Sequence, residues 1–154
     1  MADTASIPFY FSDEFVPHNS ETDDPRQASP EPHPSRLKVL VVDDQRLIVD
    51  TITEILAGAG FEVIPAYDSW EALEAAARLQ PDHLVTDVLM PGMNGVELAI
   101  AVRKMYPAVK ILLFSAQTGI SEMLLEAQTR GYQFDFIAKP IHPLKLVERI
   151  RDQA

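Results

Sequence analysis

From Leu37 onward the chain alternates short apolar runs with stretches of helical spacing, and few architectures accommodate that alternation. The runs LKVLVV (37–42), FEVIPA (61–66), HLVTD (83–87), VKILLF (109–114) and FDFIA (134–138) predict five strands, most of them rich in β-branched or aromatic residues. Between the first two, Leu47, Ile48, Thr51, Ile52, Ile55 and Leu56 recur at helical spacing, and GAG at 58–60 ends that helix. Ser69 is read as the cap of a second helix through WEALEAAARL, with Pro81 as its stop. Residues 96–105, 120–130 and 143–152 predict three more helices. The expected fold class is therefore α/β, a (βα)5 doubly wound sheet of five parallel strands covered by helices on both faces.

The residues before that pattern differ in kind. Six of the twelve prolines precede Arg36, and seven acids against two arginines leave this stretch strongly acidic. Residues 1–36 are expected to be a disordered, Pro-rich acidic tail, with 37–154 as the single folded domain. Within the tail, IPFYFSDEFV mixes aromatics with acids and reads either as a solvated stretch or as a docking segment. Absence of cysteine removes disulfides, thiolate metal sites and a Cys nucleophile, so a cytoplasmic location is expected. A formal charge of −10 argues against direct nucleic-acid binding, and no window reaches the roughly 18 apolar residues of a membrane span.

In a doubly wound sheet, ligands bind beyond the carboxyl ends of the strands. Asp43 and Asp44 end the first predicted strand, Asp87 ends the third, Ser115 follows the fourth, and Lys139-Pro140 follows the fifth. If the strand order is the flavodoxin-like 2-1-3-4-5, strands one and three are neighbours and three carboxylates meet. Such a cluster calls for a cation, and hard oxygen ligands favour Mg²⁺ or Mn²⁺ over zinc. An ammonium and a hydroxyl aimed at the same point suit the oxygens of a phosphoryl group, which casts Asp87 as a nucleophile.

The segments VLVVDDQ (39–45), LVTDVLMPGMNG (84–95), LLFSAQ (112–117) and FIAKPIHPLKL (136–146) together resemble the receiver domain of bacterial two-component response regulators. The resemblance implies that Asp87 accepts a phosphoryl group from a histidine kinase or phosphotransfer protein. Asp43, Asp44, Asp87 and the backbone carbonyl of Leu89 would hold the metal. Ser115 and Lys139 would contact the phosphoryl group, and Lys139-Pro140 resembles the family's cis peptide. The family's switch pair corresponds to Ser115 and Phe136, with the Phe136 ring expected to move from an exposed to a buried rotamer on phosphorylation. Leu89 and Gln117 occupy positions that tune hydrolysis. An apolar Leu89 offers nothing to orient a water, so a long-lived phosphoryl state is expected.

The chain stops eleven residues after Pro143, which predicts a stand-alone, chemotaxis-regulator-like type whose output is contact with a downstream target protein. Kinase docking is expected in the groove beside the first helix, and a phosphorylation-dependent dimer is compatible with the same reading. Enzymatic activity beyond self-phosphorylation and autodephosphorylation is not expected. Two rivals stand beside it. One is a receiver-like interaction module that is never phosphorylated. The other is an aspartate-nucleophile phosphohydrolase, disfavoured because Leu89 stands where such enzymes place an acid. GYQFDF carries one residue more than the family spacing, which predicts a bulge before strand five. Trp70 is read as a partly buried surface anchor. His18, His33, His83 and His142 lack metal-ligand spacing and are read as structural or exposed.

Overall fold

The computed structural model describes residues 35–116 and 120–153, so the acidic segment up to residue 34 and Gln117 lie outside the described residues. Strands β1 (Lys38–Val42), β2 (Glu62–Ala66), β3 (His83–Asp87), β4 (Lys110–Ser115) and β5 (Asp135–Ala138) alternate with helices α1 (Arg46–Gly58), α2 (Ser69–Leu79), α3 (Gly95–Met105), α4 (Ser121–Thr129) and α5 (Pro143–Gln153). All strands are parallel, in the order β2-β1-β3-β4-β5. The expected α/β class and strand order are those of the molecule.

Side-chain alternation along the strands builds two cores. Val39 and Val41 of β1, with Val85, Leu112 and Phe114, pack under Val49, Ile52 and Leu56 of α1 and Leu146 and Ile150 of α5. Their neighbours Leu40, Val42, Leu84 and Leu113 point the other way, against Ala72 and Ala76 of α2, Leu98 and Val102 of α3, and Ala127 of α4. Burial of each such Val or Leu side chain contributes about 1.5–3 kcal/mol before entropy is charged. The central strand β3 is buried at all five positions, as expected where both sheet faces are covered. Pro65 is tolerated because β2 is an edge strand, where a missing N–H breaks no ladder bond on the open side.

Three local expectations are corrected. Asp68, not Ser69, caps α2: its carboxylate accepts from the Glu71 amide at 2.7 Å, and Glu71 Oε2 accepts from the Tyr67 amide at 3.3 Å. A carboxylate at this end also complements the helix dipole, which a serine hydroxyl does less well. Ser115 is the last residue of β4 rather than the first beyond it. β5 pairs with β4 in unbroken register from Leu112↔Asp135 to Ser115↔Ala138, which leaves the extra residue to the segment before the strand, where it was expected. Trp70 is 66% exposed instead of partly buried. No helix among the described residues is long and apolar enough to cross a membrane.

Candidate functional site

Because β1 and β3 are neighbours, their carboxyl ends bring Asp43 and Asp87 together although 44 positions separate them in sequence. Asp43 is fully buried, Asp87 nearly so, and Asp44 is exposed. One carboxylate oxygen from each of the three lies within 4.8 Å of the others. At an effective dielectric of about 20, two such charges at this spacing repel by about 3.5 kcal/mol.

Two kinds of partner offset that repulsion. Lys139 Nζ lies 2.9 Å from Asp43 Oδ2 and 3.6 Å from Asp87 Oδ1, and 4.7 Å above the centre of the Phe114 ring. Backbone amides complete the set: Val88 N donates to Asp87 Oδ1 and Gln45 N to Asp43 Oδ1, each at 2.9 Å. Lys139 reaches the site because its amide continues the β-ladder, donating to the Ser115 carbonyl at 3.0 Å, and the Lys139-Pro140 peptide is cis.

One ammonium among three carboxylates leaves the cluster electron-rich. Burial, and then the neighbouring Asp43 charge, push the Asp87 carboxyl above its ordinary range, with Lys139 and the Val88 amide opposing. Asp44 is raised as well, by desolvation first and by its contact with Asp43 next. A set of hard oxygen donors that repel one another, open to solvent through Asp44, fits a divalent cation of the Mg²⁺ or Mn²⁺ type.

The loop after Asp87 is built on close backbone contact. Gly95 N donates to the Val88 carbonyl at 2.7 Å, and a Cβ on Gly95 would overlap the Asp87 carbonyl oxygen and stand 2.9 Å from Val88 Cα. Only glycine allows that approach. Thr86 Oγ1 donates to the Asp87 carbonyl at 3.0 Å, and Asn94 caps α3 by accepting from the Glu97 amide. The Val88 amide escaped sequence reasoning. The glycine was visible in MNG, but the backbone it touches was not.

Ser115 and Phe136 lie on one face of the sheet. Ser115 is two residues beyond Leu113, the register partner of Phe136, and Phe136 is half-buried against the α2–α4 core rather than exposed. Leu89 follows Asp87 by two residues and is itself half-buried. Beside the acidic cluster, between α1 and the segment leading into α5, an apolar groove of about 500 Å³ is lined by Leu47, Ile48, Ile52, Pro140, Ile141 and Leu146. Leu47 and Leu144 are 79% and 67% exposed at this end of the molecule. His83 is buried at the start of β3, at the opposite end of that strand from Asp87.

Comparison with known proteins agrees with this architecture. A family profile described as the response regulator receiver domain matches residues 39–151. The chain is 37% identical over 114 residues to the chemotaxis protein CheY of Thermotoga maritima, an alignment covering 73% of this chain and 93% of that one. It is 34% identical over 116 residues to the DNA-binding response regulator MtrA of Mycobacterium tuberculosis, covering 75% of this chain and 50% of that one. It therefore spans about half the length of MtrA. Among solved structures, the chemotaxis protein CheY4 of Vibrio cholerae superimposes with a TM-score of 0.71 at 32% identity, covering 78% of this chain and all of that one. By profile, sequence identity and strand order together, the chain belongs to the response regulator receiver domain family.

Proposed function

We propose that this chain is a phosphorylation-dependent signalling switch in which Asp87 accepts a phosphoryl group from a histidine kinase or phosphotransfer protein. The observation that carries the reading is the convergence of Asp43, Asp44 and Asp87 around the Lys139 ammonium at one sheet edge. A carboxylate oxygen of Asp87 forms the new bond to phosphorus while the bond to the donor nitrogen breaks, and the departing imidazole keeps the electron pair. Asp43, Asp44, Asp87 and the Leu89 carbonyl would hold Mg²⁺, or Mn²⁺ in its place. When bound there, the cation supplies positive charge for the phosphoryl oxygens. Lys139 pairs with one of those oxygens, and the Ser115 hydroxyl donates to another.

Output follows from the Ser115–Phe136 face. Drawing Ser115 toward the phosphoryl group makes room for the Phe136 ring, and the α4–β5–α5 surface changes for a downstream protein target. The apolar groove beside α1 is the surface for the phosphodonor partner. The Leu89 side chain cannot orient an attacking water, which makes the phosphoryl state long-lived. A cytoplasmic location accords with a cysteine-free sequence.

The test is intact-protein mass after incubation with Mg²⁺ and acetyl phosphate. Wild type should gain one phosphoryl group, while Asp87→Asn, or wild type labelled in EDTA, should gain none. Folded wild type that binds Mg²⁺ yet takes up no label would instead make the chain an interaction module.

A further inference from the structure

Ser69 lies outside the acidic cluster, in the first turn of α2, yet it is only 2% exposed. Its hydroxyl does not cap its own helix, because Asp68 fills that role. Ser69 Oγ instead donates at 2.7 Å to the carbonyl of Met93, 24 residues away. Met93 belongs to the β3–α3 loop, residues 88–94, which begins at the amide that binds Asp87 and carries Leu89. The Gly95 N bond to the Val88 carbonyl closes the base of this loop, and Ser69 fastens its C-terminal leg, two residues before Gly95, to α2. Tyr106 Oη, donating to the Ala76 carbonyl at 2.8 Å, anchors the other end of α2 beside the end of α3. The support on which Ser69 is mounted is thus held independently of Ser69 at its other end.

We infer that Ser69 is a positioning residue for the cation site: by clamping the Met93 carbonyl, it holds the β3–α3 loop in the shape that presents the Leu89 carbonyl beside Asp87. The inference rests on the proposed reading of Asp43, Asp44, Asp87 and Leu89 as the Mg²⁺ site. A buried hydroxyl whose bond is short and long-range restrains the loop more than its own helix. The Leu89 carbonyl cannot be removed by mutation, but its restraint can.

Mg²⁺ binding by calorimetry to wild type, Ser69→Ala and Asp44→Asn, with ¹⁵N order parameters of the wild type and the Ser69 variant in EDTA, tests the inference. Ser69→Ala should raise the Mg²⁺ dissociation constant about three- to tenfold. In EDTA it should lower the order of the Leu89, Met90, Gly92 and Met93 amides while leaving α1 and β1 unchanged. Ser69→Cys, close in volume and only a weak donor, should behave alike and serves if the alanine variant folds poorly. Equal Mg²⁺ affinity in wild type and the Ser69 variants overturns the positioning role. Order lost uniformly across the sheet overturns it too, since that marks general loosening. Wild type that fails to bind Mg²⁺, or Asp44→Asn that binds as wild type does, marks failure of the cation reading itself.

Discussion

Replacing Gly95 with alanine should destabilise the domain, although alanine is the better helix former. Propensity alone favours the change by at most about 1 kcal/mol, and by less at a first helical position. Against it, the new Cβ would overlap the Asp87 carbonyl oxygen and approach the Asp87 carbonyl carbon to 2.8 Å and Val88 Cα to 2.9 Å. All three are backbone atoms, so no rotamer change relieves them. Overpacking of this kind costs about 1–3 kcal/mol. Moving α3 away would also stretch the 2.7 Å bond from Gly95 N to the Val88 carbonyl, at about 1 kcal/mol more. The net expectation is a loss of about 1–3 kcal/mol, which lowers the urea midpoint by about 1 M for a slope near 2 kcal/mol/M. Gly58→Ala is the matched control. It makes the same chemical change near the end of α1, where a Cβ meets nothing within 4 Å, and should stabilise by about 0.5–1 kcal/mol. Urea unfolding followed by circular dichroism reads both. If Gly95→Ala unfolds at or above the wild-type midpoint, close contact of α3 with the Asp87 backbone is not what requires glycine there.

Three further outcomes follow from the same geometry. Lys139→Met should lose about 3 kcal/mol at pH 7, because fully buried Asp43 is left without its 2.9 Å partner; a loss below about 1 kcal/mol in urea would show that the pair is not what supports Asp43. Asp87→Asn should stabilise the protein in EDTA at neutral pH: the folded-state carboxyl is raised by burial and by Asp43, so the penalty builds as pH rises above the unfolded value and vanishes below it. A urea midpoint no higher than wild type at pH 7, or a difference that grows toward pH 3, contradicts this. Burial holds the His83 imidazole below its ordinary value of 6.5, with Asp82 opposing and Lys110 assisting, so the unfolded chain takes up the proton first. Stability should therefore fall as pH drops through that value, and His83→Leu should flatten the decline between pH 7 and 5; an unchanged slope would place the sensitivity elsewhere.

Much of the site was legible because strand ends are local features. Asp43, Asp87 and Ser115 were found by locating where apolar runs stop, and Lys139 by its place after the last run; the structure brings the two aspartates and the lysine within ion-pair range. Ser69 shows where that legibility ends. Asp68 and Ser69 are both good capping residues, and one position of offset decides which reaches the Glu71 amide. Sequence spacing favoured the serine next to the apolar pattern. The structure turned that serine toward Met93, a residue no local window contains. Phe136 was expected to be exposed, but β5 presses it against the side chains of the α2–α4 core.

The sequence by itself determined the alternation of strands and helices, the two-faced burial of β1 and β3, and the chemical character of one sheet edge. Each of these depends on side-chain periodicity or on residues within one element, information carried in windows of some 5–13 residues. Only the tertiary structure decided that Lys139 reaches Asp43 across 96 positions, and that Gly95 must pass within contact of the Asp87 carbonyl. Those relations belong to pairs of elements packed over a common core, and distances of a few ångströms between backbones are set by that packing rather than by the preferences of any one segment.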